Sequence, residues 1–187
     1  MSEHYTMVGC MSGSSLDGMD IALCRFSHDE NKWQYGIPAA VTIPFPEELF
    51  HLLRELTEQD DRLSEADRLL SVWTAGQVAK FIDHYAADRP LGVVAHGHTI
   101  AHDPEKGYSL QIGNGKMLAE ELGFPVMGNV RQADIAAGGQ GAPLVPIADE
   151  ELFPDFSACV NLGGICNISY NKEGQRIGYT FVPATSC

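Results

Sequence analysis

Between Met7 and Leu23 two short apolar runs enclose a turn, Ser12-Gly13-Ser14-Ser15-Leu16-Asp17-Gly18, and Met19 and Asp20 open the second run. The turn offers hydroxyls on Ser12, Ser14 and Ser15, carboxylates on Asp17 and Asp20, and little side-chain bulk over its backbone N–H groups. Backbone nests and hydroxyls suit phosphate oxygens, and a carboxylate beside them suits a metal carried by the phosphates. The stretch is not a Walker loop, since no Lys closes it and a strand is predicted to follow it. Gly, Ser and Asp are also what an ordinary hairpin turn favours, so composition alone reads it as a plain turn.

Two further groups of residues could do chemistry. His96-Gly97-His98-Thr99-Ile100-Ala101-His102 places three imidazoles in one stretch. They could bind a metal, but no acid or thiol cluster nearby completes a shell, and the preferred reading has His98 hydrogen-bonding a polar ligand while the others are structural. Arg131 and Asp134 are the only charges in the small-residue run Asn129–Leu144. They pair with each other, or Arg131 holds a substrate carboxylate and Asp134 a hydroxyl. Cys10, Cys24, Cys159, Cys166 and Cys187 form no C-x-x-C pair, which reads as buried free thiols in a reducing cytoplasm and not as a zinc site.

Elements that would position these groups are legible from periodicity. Apolar runs before and after the Ser12–Gly18 turn read as a hairpin, and Lys32–Ile43 as a further strand or two with Trp33, Tyr35 and Ile37 alternating. Glu47 to Thr57 has helical spacing, and Ser64, with Asp67 three residues on, reads as the N-cap of a long helix reaching about Ala87. The run Leu91–Ala95 reads as a buried strand that delivers the chain into a loop carrying His96 to His102, where α/β folds place ligand groups. Strands are expected at Tyr108–Ile112 and Phe124–Met127, with helices from Gly113-Asn114-Gly115 to Leu122 and over Leu144–Phe153. A second glycine hairpin follows at Asn161-Leu162-Gly163-Gly164-Ile165, with Asn171-Lys172-Glu173-Gly174 as the next turn.

The 187 residues carry a formal net charge of −13 and 44 % hydrophobic residues. That supports a sizeable core and leaves no basic face for nucleic acid. No apolar run is long enough to span a bilayer, and Met1–Thr6 lacks the pattern of a signal peptide.

Met11–Asp20, His96–His102, Gln111–Gly115, Asp134–Leu144 and Asn161–Ile168 occur in the order in which similar blocks occur in anhydro-N-acetylmuramic acid kinases, and the chain resembles that family. The resemblance implies an α/β fold of the actin/hexokinase/Hsp70-like ATPase superfamily. Residues 1–152 would form one ribonuclease H-like domain with a mixed sheet flanked by helices, and 153–187 the truncated start of a second. It implies cleavage of the 1,6-anhydro bond of anhydro-N-acetylmuramic acid by water and phosphorylation of O6, with ATP and Mg2+ as cofactors, in cytoplasmic peptidoglycan recycling. Gly13, Ser14, Ser15, Leu16, Asp17, Gly18, Met19 and Asp20 match the family's ATP-phosphate segment, with Asp17 near the phosphate-bound Mg2+. His98, Arg131 and Asp134 fall in blocks that line the sugar side, although Gln is more frequent in the family where His98 stands. A small-molecule sugar is the implied partner, with no nucleic acid or membrane, and a homodimer is the common assembly. The alternatives are another small-molecule kinase of the superfamily and a catalytically dead sugar- or nucleotide-binding fragment.

The last residues depart from the family. Its members run to roughly twice this length and carry Gly-aromatic-Asp-x-x-Pro-Gly-Asn, whose Asp is the general base. Here Gly178-Tyr179 is followed by Thr180, which cannot serve as a base near neutral pH, so no catalytic residue is assigned. Thr180–Cys187 can be encoded by bases that, preceded by G and read in the shifted frame, give Asp-Ile-Arg-Pro-Gly-Asn-Val-Leu. The expectation is a frameshifted ending, and the codons of Thr180–Cys187 test it directly.

Overall fold

The computed structural model describes residues 3–13, 15–30, 32–113, 115–162 and 165–183. Ser14, Asn114, Gly163, Gly164 and the tail from Ala184 to Cys187 lie outside the described residues. In chain order the elements are β1 (Glu3–Ser12), β2 (Met19–Asp29), β3 (Lys32–Ile43), α1 (Glu47–Glu55), α2 (Leu63–Tyr85), β4 (Val93–Ala95), β5 (His98–Asp103), β6 (Tyr108–Ile112), α3 (Gly115–Leu122), β7 (Val126–Met127), α4 (Val130–Ala136), α5 (Pro146–Leu152), β8 (Ala158–Leu162), β9 (Ile165–Lys172) and β10 (Gln175–Pro183). The main sheet has five strands in the order β3-β2-β1-β4-β7. Its first three strands form an antiparallel meander, and β4 and β7 run parallel to β1. This mixed sheet flanked by helices is the architecture expected of a ribonuclease H-like domain. β5 and β6 form a separate hairpin, and β8–β10 an antiparallel sheet of their own.

One face of the main sheet is the core. Strand alternation puts Val8, Cys10, Met19, Ile21 and Leu23 on that face, where they meet Leu49 and Leu53 of α1 and Leu70, Val78 and Phe81 of α2. Burying these side chains is the principal stabilising contribution. Leu70 is fully buried, so Leu70→Ala is expected to lower stability by about 2–5 kcal/mol, read as a shift of the urea midpoint. Burial also pushes the Cys10 thiol up to about 12.

Three sequence expectations need correction and one is sharpened. The stretch Lys32–Ile43, expected as a strand or two, is one bulged strand. Leu23 pairs with Ala39 and Arg25 with Gly36, so β3 carries the extra residue at Ile37-Pro38, where proline has no N–H for the ladder. The bulge shifts the phase, leaving Tyr35 and Ile37 exposed while Ala39, Val41 and Ile43 pack on the core. Ser64 is not an N-cap, because α2 begins at Leu63 and Asp60 Oδ1 accepts the Arg62 N–H at 2.9 Å just before it. The stretch after His96 is largely strand, as β5 pairs with β6. The run Asn129–Leu144 contains α4, which its small residues and glycines concealed.

Candidate functional site

The carboxyl ends of the parallel strands β1, β4 and β7 share one edge of the sheet, which is where open α/β sheets collect ligand groups. Three connections leave that edge: the Gly13–Gly18 turn, His96-Gly97, and Gly128-Asn129 leading into α4. Backbone bonds tie them together. His96 donates its N–H to Cys10 O at 3.0 Å, and Ser12 donates its N–H to Gly97 O at 3.4 Å.

In the opening turn the Leu16 N–H bonds back to Gly13 O at 3.2 Å. Ser15 Oγ donates to Asp17 Oδ1 at 2.7 Å, and Thr42 Oγ1 donates to Asp20 Oδ1 at 2.6 Å. Ser15, Asp17 and Asp20 are exposed. Met19 is instead a core residue, Leu16 packs against the core, and Gly18 lies on β3, where a Cβ would come 2.5 Å from Ile43 O. The segment thus divides into residues that anchor the turn and residues that present polar groups.

Each histidine has a different partner. His98 is 6 % exposed, with Nδ1 3.0 Å from Ser12 Oγ, so it braces the root of the opening turn. His102 Nδ1 lies 2.9 Å from Ser109 Oγ. His96 Nδ1 meets Gly97 O at 3.0 Å, and its Nε2 receives the Arg131 Nε–H at 2.7 Å. No group of three or more metal-binding side chains occurs among the described residues. Arg131 and Asp134 do not spend their charges on each other. Arg131 Nη1 donates to Gly141 O, and Asp134 Oδ2 accepts the Gly141 N–H, both at 2.7 Å. The carbonyl of Asp134 also takes the Gly139 N–H at 2.9 Å, so this residue ties down the glycine loop after α4.

A cleft of about 580 Å³ lies beside these groups on the sheet face opposite the core, lined by Gly9, Met11, Asp20, Thr42, His96 and Val130 among others. A second hollow of about 370 Å³ is polar, with Asp67, His96, Gln111, Lys116 and Asn129 in its wall. Sequence reasoning set His96 aside as structural and used Asp67 only to mark a helix start, and it missed the long-range partner of each. His96 holds Arg131. Asp67 Oδ1 accepts the Gly113 N–H at 2.7 Å, a contact across a long sequence separation that no local pattern signals.

Burial pulls all three imidazoles below the ordinary histidine range. The Arg131 charge adds to this at His96 and His102, and the His96 charge adds to it at His98; the bond to Gly97 and the charge of Asp103 oppose it at His96 and His102 respectively. With the folded pKa below the unfolded one, the unfolded chain takes up the proton first. The stabilisation is therefore present above the unfolded pKa of about 6.5 and is lost as pH falls through the folded values. The urea midpoint is expected to fall between pH 7 and pH 5, less steeply in a His96→Gln/His98→Gln variant. Equal slopes would contradict this.

At the other end of the chain, Asp149 of α5 is buried and accepts the Ser169 Oγ–H at 2.5 Å. Arg176 Nε donates to Ser169 Oγ at 3.1 Å, and its Nη1 donates to Phe156 O at 2.9 Å. This network joins α5, β9, β10 and the connection leading to β8. Asn161, Asn167 and Thr180 form a cross-strand row, and Thr180 Oγ1 donates to Asn167 Oδ1 at 2.8 Å.

The five-stranded mixed sheet flanked by helices, with a polar turn at its carboxyl edge, defines an α/β fold. The sequence profile described as anhydro-N-acetylmuramic acid kinase matches residues 5–186, and the chain belongs to that family. An anhydro-N-acetylmuramic acid kinase of Pseudomonas syringae pv. syringae is 41 % identical over 183 residues, covering 92 % of this chain and 49 % of the relative. Those of Paramagnetospirillum magneticum and Salinibacter ruber are 35 % and 39 % identical, covering 96 % and 90 % of this chain and 51 % and 47 % of theirs. The chain spans about half the length of the curated relatives it matches. Among solved structures, an Aquifex aeolicus PPX-GPPA enzyme aligns with a TM-score of 0.44 at 12 % identity, over 95 % of this chain and 52 % of its own.

Proposed function

We propose that this chain supplies the phosphate-loop half of a kinase that opens the 1,6-anhydro ring of anhydro-N-acetylmuramic acid and phosphorylates O6, using ATP and Mg2+. Residues 1–152 form its first domain and 153–187 begin the second. The observation that carries the reading is the Gly13–Asp20 turn at the carboxyl edge of β1, with Ser15, Asp17 and Asp20 exposed and the root braced by His98. Its backbone N–H groups and hydroxyls bind phosphate oxygens without a lysine. The donor set fits a phosphate-borne Mg2+, since Asp17 and Asp20 each use only Oδ1 in the bonds described and keep an oxygen for the metal or its waters. Mg2+ supplies charge neutralisation on the phosphates when bound. Arg131 takes the sugar's carboxylate, Asp134 a hydroxyl, and His98 hydrogen-bonds a further polar group of the sugar.

The reading extends to a cytoplasmic enzyme of peptidoglycan recycling with no nucleic-acid or membrane partner, and to a homodimer. No described helix is long and apolar enough to cross a membrane. Calorimetric titration with anhydro-N-acetylmuramic acid, with and without Mg2+-ATP, tests the site. Arg131→Ala is expected to weaken sugar binding roughly 10- to 100-fold, the size of a lost charge-assisted hydrogen bond. Unchanged affinity in that variant would remove Arg131 from the site.

A further inference from the structure

We infer that His96 is the positioning residue for Arg131, a neutral imidazole that orients the guanidinium without offsetting its charge. This rests on the proposed sugar-side role of Arg131. Two partners fix the state of the ring. Gly97 O can only accept, so Nδ1, 3.0 Å away, carries the proton. The Arg131 Nε–H can only donate, so Nε2, 2.7 Å away, is bare. Both conditions hold only for the neutral, Nδ1-protonated tautomer.

The consequence for Arg131 is geometric and electrostatic. Its guanidinium is held at Nε by the end of β4 and at Nη1 by Gly141 O. Gly141 is itself held by Asp134. The Nη2 donors take no part in these bonds and are aimed by them. A carboxylate in place of His96 would orient the arginine equally well but would form an ion pair, and an incoming anion would then compete with it. The neutral ring avoids that competition, which fits a ligand bearing a carboxylate. Burial of His96 and the adjacent guanidinium both favour the uncharged ring.

The test uses the 187-residue protein in two arms. In the first, ¹⁵N spectra of the imidazoles, with detection of coupling across the Arg131 Nε–H···Nε2 bond, are expected to show an Nδ1-protonated ring joined to Arg131. An Nε2-protonated or charged ring near neutral pH overturns the inference. In the second, calorimetry with anhydro-N-acetylmuramic acid compares His96→Gln, a neutral acceptor, with His96→Glu. The glutamine variant is expected to bind within about threefold of the parent and the glutamate variant at least roughly tenfold more weakly, as loss of a charge-assisted contact implies. Glutamate binding as well as the parent overturns the inference. A parent that binds no sugar refutes the sugar-side reading instead, and the spectra then decide the role of His96 alone.

Discussion

A polypeptide of residues 1–187 is expected to release ADP no faster than background when given ATP, Mg2+ and anhydro-N-acetylmuramic acid. The reason is local to β10. Where the family resemblance places a general-base aspartate, Thr180 stands exposed and donates its hydroxyl proton to Asn167 Oδ1 at 2.8 Å. A threonine hydroxyl does not take up a proton near neutral pH, and a positioned base contributes about 10²- to 10⁴-fold to such a reaction. An aspartate at this position would face the same Asn167, whose amide can rotate to donate to a carboxylate. Sugar-dependent ADP release by the 187-residue polypeptide at the rate of a full-length relative would show that the base lies elsewhere.

Gly97→Ala is expected to cost about 3 kcal/mol or more, a large share of the roughly 5–15 kcal/mol that holds such a domain folded. Gly97 has φ +75°, and a Cβ there would come 2.4 Å from Ile112 O. The obstacle is backbone, so no rotamer change relieves it. The left-handed conformation adds about 1 kcal/mol or more for alanine. The contact joins the connection after β4 to the end of β6, the place where His96 and His98 are set. Gly9→Ala is the matching control, because nothing lies within 4 Å of a Cβ at Gly9. Its stability is expected to hold within about 1 kcal/mol. Urea midpoints for the two variants check both statements, and equal values would refute the close approach at Gly97.

Much of the frame was legible because its signals are local. The hairpin around Ser12–Gly18, the buried strand ending at Ala95 and the long apolar stripe of α2 each announce themselves within a short window. The bulge at Pro38 was not legible, since the Trp33-Tyr35-Ile37 alternation continues through it in sequence and breaks only in the pairing with β2. α4 was hidden by glycines that belong to the loop after it, held by Asp134. Chemistry-bearing residue types were found, but their division of labour was not. Met19 is apolar core within a polar segment, and Asp67 and His96 act on Gly113 and Arg131 through contacts distant in sequence.

The most direct test of the kinase reading is turnover by a hybrid carrying residues 1–179 of this chain followed by the corresponding remainder of the Pseudomonas syringae relative, where the family resemblance places the general-base aspartate. ADP release that requires anhydro-N-acetylmuramic acid is the expected result. A folded hybrid that binds ATP yet releases no ADP with this sugar, under conditions in which the parent relative turns over, would contradict it.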